Sequence, residues 1–206
     1  MSINPNDVTS FLLKGLSEAL AAKGSACLVL SGGSSPVPVF AALAQTDFAW
    51  EKVVITLVDE RNVPPSHDDS NEALIRTHLM KGAVAAAKFV PLYDNPNAFA
   101  QIGVGDAALL GMGTDGHFAS LFPAMIGQKD AFSLDAAPAI ITTGPQGSPV
   151  HPRISMNLSL INKMAHCCLL LPNAEKAALF EAAKTDDSLP VHYLQKALGN
   201  RLTLFS

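Results

Sequence analysis

Residues 111–117 read GMGTDGH and place one carboxylate and one imidazole two positions apart among three glycines. The glycines free the backbone to turn sharply. Asp115 has the residue type of a helix N-cap, which would put His117 in the first turn of a helix. Because the positive end of a helix disfavours a charged imidazole, we expect His117 to stay neutral and to accept a proton as a general base. A purely structural histidine is equally compatible with this spacing.

A second cluster of charge follows the apolar run 53–58, where residues 59–61 read DER. The chain holds only four arginines, and Arg61 comes directly after this run. Such a cluster can bind a ligand or form a solvated ion pair, and the sequence leaves both open. Further along the chain, Arg153 and Lys176 are either ordinary surface cations or positive charges of the same site.

Residues 31–36 read SGGSSP and precede a helical pattern. The glycines predict a sharp turn, Ser34 or Ser35 can cap the helix, and Pro36 suits its first position. The backbone N–H groups of such a turn form an anion site, although a capped turn without a ligand would have the same sequence. The segment is neither a P-loop nor a dinucleotide fingerprint, because the spacings that define those motifs are absent.

The elements that must position these residues are short apolar runs alternating with helical patterns. Strands are predicted at 26–31, 53–58, 106–111 and 166–171, with weaker candidates at 88–92, 138–143 and 202–205. Helices are predicted at 7–22, 36–45, 70–80 and 174–184, and a loop at 143–152. Unalternating strands between helices predict a doubly wound, mostly parallel open α/β sheet flanked by helices, a Rossmann-like three-layer fold. Ligands of such a fold gather at the carboxyl ends of the strands. Without a linker-like stretch, residues 1–206 are expected to form one domain.

Composition limits the classes of partner. The 206 residues are 49% hydrophobic and 16% charged, with a net charge of −4, which excludes a disordered chain. No basic field is available for nucleic acid, and no apolar run reaches the length of a membrane span. The sequence also shows no export signal, so we expect a cytoplasmic protein that binds neither nucleic acid nor membranes.

Cysteine and histidine spacing gives no sign of a disulfide framework or a metal. The three cysteines, Cys27, Cys167 and Cys168, lie in apolar runs and are expected to be reduced and buried. The six histidines show no zinc spacing, and no Gly-x-Ser-x-Gly nucleophile motif is present. We therefore expect no metal, no cofactor and no covalent nucleophile.

Taken together, three segments resemble the 6-phosphogluconolactonases, and the likeness runs from about residue 26 to residue 184. The matching segments are residues 31–36, residues 59–71 (DERNVPPSHDDSN) and residues 111–123 (GMGTDGHFASLFP). The related glucosamine-6-phosphate deaminases share the fold and the Asp-Gly-His segment. They carry a working glutamate where this chain has Phe122, and a tyrosine where it has Arg61.

The resemblance implies hydrolysis of 6-phosphoglucono-δ-lactone, a step of the oxidative pentose phosphate pathway. It implies that His117 activates the attacking water, that Arg61 is an active-site arginine, and that Arg153 and Lys176 hold the substrate phosphate. The expected substrate-binding set further contains Gly32, Gly33, Ser34, Ser35, Asp59, His67 and Gly113. The chain departs from the family pattern at 92–109, which leaves little room for a helix that the family places there.

A δ-lactone is an activated ester, so its hydrolysis needs a positioned water, a base, stabilisation of the oxyanion and an anchor. We expect His117 Nε2 to take a proton from the water attacking C1 and to return it to the departing ring oxygen. Asp115 would orient the imidazole, and Arg61 would stabilise the oxyanion or hold a sugar hydroxyl. Two alternatives stay open: a deaminase or isomerase of amino-sugar phosphates, and a non-catalytic sugar-phosphate sensor. The protein is expected to act on this small molecule as a monomer or small homo-oligomer.

Overall fold

A computed structural model describes residues 3–206, and its strands form two sheets. The strands are β1 (Ala26–Leu30), β2 (Val53–Leu57), β3 (Asp59–Arg61), β4 (Lys88–Val90), β5 (Ala107–Leu110), β6 (Ile140–Gln146), β7 (His151–Met156), β8 (His166–Leu170) and β9 (Leu202–Phe205). The helices are α1 (Pro5–Lys23), α2 (Val37–Leu43), α3 (Asn71–His78), α4 (Ala98–Ile102), α5 (Lys129–Phe132), α6 (Leu158–Asn162), α7 (Ala174–Ala182) and α8 (Pro190–Leu198).

The larger sheet has six strands in the order β4-β2-β1-β5-β8-β9, and every neighbouring pair is parallel. The chain therefore winds outward from β1 in one direction and then from β5 in the other. This confirms the doubly wound sheet flanked by helices. Its topological switch point lies between β1 and β5, and the crevice at that point is where ligands of this architecture bind.

Burial on both faces explains why the predicted strands lacked alternation. All residues of β1 and β5 are buried, and α1 covers the sheet with a stripe that includes Val8, Leu12 and Leu16. The three cysteines are buried with free thiols, as predicted. Burial raises the pKa of Cys27 and of Cys167 to about 12, so both thiols stay protonated. Among the described residues, no helix combines the length and apolar character needed to cross a lipid bilayer.

The second sheet was not anticipated. It has the order β3-β7-β6 and is antiparallel, and the loop predicted at 143–152 is only a turn at 147–150, because β6 runs to Gln146 and β7 begins at His151. Glycines and prolines in this segment suggested a loop, but β6 is an edge strand, where a proline costs no ladder hydrogen bond. The weaker strand prediction at 138–143 correspondingly shifts to Ile140–Gln146.

Several helices also differ from expectation. The predicted helix 36–45 is the shorter α2, which begins at Val37 and has no side-chain cap from Ser34 or Ser35. Helix α8 was not predicted, although its first residues support a loop of the crevice described below. Segment 92–109 holds the five-residue α4, in keeping with the little room expected there. In contrast, α3 is capped by Ser70, whose Oγ accepts from the backbone nitrogen of Ala73 at 3.2 Å.

A buried carboxylate joins β3 to α3. Glu60 is fully buried, and its Oε1 accepts hydrogen bonds from the backbone nitrogens of Arg61 and Asn71, both at 2.7 Å. Its Oε2 accepts from the backbone nitrogen of Glu72 at 2.7 Å and from Ser70 Oγ at 3.2 Å. Burial raises the pKa of Glu60, while the backbone donors favour the charged form. The start of α3 is therefore held directly against the strand that carries Arg61.

We predict that Glu60→Gln lowers the free energy of unfolding by about 1–3 kcal/mol. The glutamine NH₂ group would face backbone N–H donors, so at least one buried donor loses its acceptor. Urea unfolding measures the change. The control is Glu51→Gln at an exposed position, expected to stay within about 0.5 kcal/mol of the wild type. Equal effects of the two substitutions would contradict this role of Glu60.

Candidate active site

A crevice of about 290 Å³ opens at the carboxyl ends of β1 and β5. Ten of the twelve site residues expected from the sequence line it: Gly32, Gly33, Ser34, Ser35, Asp59, Arg61, Gly113, His117, Arg153 and Lys176. The other two, Asp115 and His67, do not line the crevice. Asp115 lies directly behind His117, whereas His67 belongs to another cluster.

The loop after β5 carries the histidine, and here the sequence prediction was wrong in one respect. His117 is not in the first turn of a helix, because residues 113–121 form turns and short bridges. Gly116 adopts a left-handed φ of 78°, and the Gly113 backbone nitrogen donates to the carbonyl of His117 at 2.8 Å. The loop therefore folds back on itself instead of continuing as a helix. The start of α8 supports it, since the backbone nitrogen of Val191 donates to the carbonyl of Gly116 at 3.0 Å.

Asp115 replaces the expected helix end as the partner of the imidazole. Its Oδ1 lies 2.5 Å from His117 Nδ1 and accepts from the His117 backbone nitrogen at 3.1 Å. Partial burial alone would raise the pKa of Asp115, but the hydrogen bonds from His117 outweigh it and hold that pKa below the usual range. With Nδ1–H donating to this carboxylate, the lone pair of the neutral ring is on Nε2.

Two neighbours fix the ring of His117 in place. The ring of Phe122 lies with its centroid 4.5 Å from that of His117. On the other side, a Cβ on Gly113 would come within 2.2 Å of His117 Nδ1 and Cε1, so only glycine leaves room for the imidazole. His117 keeps 29% of its side chain exposed and lines the crevice. The arrangement gives an oriented imidazole with access to a small ligand.

Two arginines lie directly opposite each other on neighbouring strands of the second sheet. Arg61 on β3 pairs in register with Arg153 on β7, and both line the crevice. Burial, and then the charge of Arg61, lower the pKa of Arg153. Like charges directly opposed on a ladder are destabilising. An anion bound between these guanidinium groups would reverse that cost.

Backbone carbonyls hold both guanidinium groups. Arg153 donates to the carbonyl of Gln146 through Nε at 3.2 Å and to that of Pro149 through Nη2 at 2.6 Å. Arg61 donates through Nη1 to the carbonyl of Asp69 at 2.5 Å. These bonds orient the two side chains without neutralising them, because carbonyl oxygens carry no net charge. The positive charge is therefore left for a ligand.

Lys176 and the glycine turn complete the positively charged side of the crevice. Lys176 is the third residue of α7, where its backbone nitrogen donates to Asn173 Oδ1 at 2.9 Å, and burial lowers the pKa of its ammonium group. The turn at Gly32 lies against the amide of Asn71, since a Cβ at Gly32 would come within 1.9 Å of Asn71 Oδ1. The position therefore requires glycine.

Sequence reasoning did not assign a role to three residues that line the crevice. Asn71 is 2% exposed and donates through Nδ2 to the Asp59 carbonyl at 3.0 Å, while its Oδ1 has no hydrogen-bond partner in the described part of the chain. Ser120 donates through Oγ to Asp59 Oδ2 at 2.6 Å, and Phe122 packs on His117. All three stand in segments that resemble the family, Asn71 in 59–71 and the other two in 111–123, and this was the signal that could have found them. Their contacts depend on the tertiary fold.

His67 lies beside Asp69 and His151 rather than in the crevice. Its ring centroid is 5.4 Å from that of His151, and its Nδ1 accepts from the backbone nitrogen of Asp69 at 3.1 Å. Asp69 Oδ2 lies 2.7 Å from His151 Nε2. This cluster ties the segment after β3 to the start of β7.

The fold and the site define an enzyme-like α/β protein with a crevice for a small anion beside an oriented histidine. The profile described as "Glucosamine-6-phosphate isomerases/6-phosphogluconolactonase" matches residues 5–203, and the chain belongs to that family.

Named relatives are similar over most of their length. A 6-phosphogluconolactonase of Neisseria meningitidis serogroup A is 39% identical over 181 residues, covering 82% of this chain and 78% of the relative. A 6-phosphogluconolactonase of Pseudomonas putida is 39% identical over 201 residues, covering 92% of this chain and 83% of the relative. A 6-phosphogluconolactonase crystal structure from Shewanella baltica superposes with a TM-score of 0.85 at 29% identity, covering 98% of this chain and 94% of that chain.

We predict that Gly32→Ala lowers the free energy of unfolding by about 1–3 kcal/mol, because the new methyl group overlaps the buried amide of Asn71. Urea unfolding followed by circular dichroism measures the loss. Gly144→Ala is the matched control, since a Cβ there meets no atom within 4 Å. A loss at Gly144 equal to that at Gly32 would contradict the packing argument.

Proposed function

We propose that this chain hydrolyses 6-phospho-D-glucono-1,5-lactone to 6-phospho-D-gluconate, a step of the oxidative pentose phosphate pathway. The observation that carries the proposal is that one crevice contains both the Asp115-oriented His117 and the cations Arg61, Arg153 and Lys176. Hydrolysis of a phosphorylated lactone needs these two features together. The relatives named above supply the substrate class, and the crevice supplies the groups that would act on it.

His117 serves as the general base in this proposal. Its Nε2 takes a proton from a water molecule as the water oxygen attacks C1 of the lactone, and the imidazolium then protonates the departing ring oxygen. Asp115 keeps Nδ1 protonated and turned away from the crevice, which leaves Nε2 free for both transfers. Such a base contributes typically ~10²–10⁴-fold to the rate.

The arginine pair and Lys176 bind the phosphate. Bound through charge-assisted hydrogen bonds, this distant group positions C1 against the water, so it contributes to orientation as well as to affinity. Arg61 also lines the crevice, so its guanidinium group can donate to a sugar hydroxyl or to the oxyanion. The glycine turn at 32–35 contributes backbone N–H groups to the same substrate.

Deamination of an amino-sugar phosphate, the activity of the related deaminases, is not favoured. Phe122 packs its ring on His117 at the position where those enzymes carry a working glutamate. A phenyl ring can neither take up nor release a proton, so it can assist the histidine only by packing. We further propose that the protein acts in the cytoplasm as a monomer or small homo-oligomer, without nucleic acid and without a cofactor.

We predict that His117→Asn folds normally and loses about 10²–10⁴-fold in kcat. The asparagine retains a hydrogen-bonding group near Asp115 but cannot carry the proton. Acid release from freshly generated phosphogluconolactone measures the rate, after subtraction of spontaneous opening. His78→Asn, on α3 outside the crevice lining, is the control and should keep wild-type kcat. A kcat near that of the wild type in His117→Asn would rule out this base.

We predict that Lys176→Ala and Arg153→Ala each raise KM for the phosphorylated lactone at least about tenfold, because each removes a charged phosphate donor. The KM for unphosphorylated gluconolactone should rise much less. Arg76→Ala, on the exposed side of α3, is the control. An unchanged preference for the phosphorylated substrate in both variants would contradict phosphate binding by these residues.

A further inference from the structure

We propose that His67, Asp69 and His151 form a binding site for a divalent transition-metal ion of the zinc class, outside the crevice. One donor atom from each residue lies within 4.8 Å of the other two. Two imidazoles and one carboxylate are a donor set that suits zinc and its neighbours in the first transition row. The inference does not rest on the proposed lactonase function, because none of these three side chains lines the crevice.

Each of the three side chains has an atom that can donate a lone pair to an ion. His67 Nδ1 is unprotonated, since it accepts a hydrogen bond from the backbone nitrogen of Asp69 at 3.1 Å, and an ion at this nitrogen would take the place of that hydrogen bond. Asp69 contributes the carboxylate oxygen Oδ2, which lies 2.7 Å from His151 Nε2. Arg61 donates to the backbone carbonyl of Asp69 and not to its carboxylate.

The distances are close to those of a tetrahedral site. With ligand bonds of about 2.0–2.2 Å, donor atoms around zinc lie roughly 3.4 Å apart. Asp69 Oδ2 is 2.7 Å from His151 Nε2 and 3.8 Å from His67 Nδ1, so the observed values bracket the required one. All three side chains are partly exposed, at 44%, 33% and 21% for His67, Asp69 and His151, so an ion can reach the cluster from solvent. The ion would replace the proton that lies between Asp69 and His151, which moves to the other ring nitrogen or to solvent.

Two observations distinguish this cluster from the other side chains of the chain that could in principle bind a metal. The three thiols are buried, and burial raises their pKa values, so they do not compete as thiolates. A second histidine–carboxylate pair, His166 Nε2 with Glu18 Oε2 at 2.8 Å, has nearly the same geometry as the His151–Asp69 pair. No third donor completes it in the described part of the chain, which makes it an internal control.

A bound ion would join two segments that carry the opposed arginines. Asp69 receives the hydrogen bond from Arg61, and His151 is two positions before Arg153 on β7. Metal binding would therefore stiffen the edge of the crevice without contacting the substrate. Because the ion binds the folded chain alone, it should also raise the melting temperature.

The test is titration of untagged, chelator-treated protein with Zn²⁺ by calorimetry and with Co²⁺ by visible absorption. The wild type should bind one ion per chain, with a rise in Tm in the presence of Zn²⁺. Asp69→Asn and His151→Ala should each weaken binding at least about 100-fold and abolish the Tm rise. Glu18→Gln should bind like the wild type. His67→Ala, which truncates the most exposed donor, provides a variant whose fold is least affected.

The absence of a stoichiometric site in the wild type would overturn the proposal. So would retention of wild-type affinity in Asp69→Asn and His67→Ala, or equal weakening in Glu18→Gln. Circular dichroism of each metal-free variant separates loss of the site from loss of the fold. Lactone hydrolysis is measured separately, so failure of the metal site leaves the proposed function unaffected, and the converse also holds.

Discussion

The buried carboxylate of Glu60 is the interaction on which the geometry of the crevice depends. A buried anion is costly unless it is fully hydrogen-bonded, and Glu60 meets that requirement with the start of α3 and with its own strand neighbour. Arg61 and Asn71 donate to the same oxygen, which fixes the distance between the two residues. Asn71 in turn occupies the space next to Gly32. A buried anion thus organises the groups that we propose to bind the substrate phosphate.

The switch point of the large sheet determines where the crevice lies, but the small sheet supplies most of its charge. Strands β1 and β5 contribute the glycine turn and the His117 loop, whereas the opposed Arg61 and Arg153 come from β3 and β7. The Oγ of Ser120 links the two parts by donating to Asp59. Opposed arginines lower stability in the absence of an anion, which is the kind of local cost that functional sites retain. The rest of the core offsets this loss of stability through strands that are buried on both faces.

The fold class was predictable because parallel strands between helices have continuous apolar sequences. Ten of the twelve expected site residues line one crevice. Nine of them follow strands β1, β2, β5 and β8 of one parallel sheet and so meet at the same edge, whereas Arg153 comes from β7 of the small sheet. The helix expected to begin at Asp115 does not form, because tertiary contacts determine the conformation of this loop. Gly116 takes a left-handed conformation, and the start of α8, distant in sequence, bonds to its carbonyl. The loop expected at 143–152 is shorter than predicted, because the pairing of β6 with β7 outweighs the glycines and prolines at its ends.

The sequence by itself determined the large parallel sheet, the family motifs and the identity of the charged residues at its strand ends, since these depend on local hydrophobicity and on neighbours along the chain. Tertiary structure alone decided that Arg61 opposes Arg153, that Phe122 packs on His117, and that His151 approaches a carboxylate 82 positions earlier. Such pairs depend on strand register and on loop closure over long separations. No local pattern encodes them, because each partner is stabilised by contacts that exist only after the rest of the chain has folded.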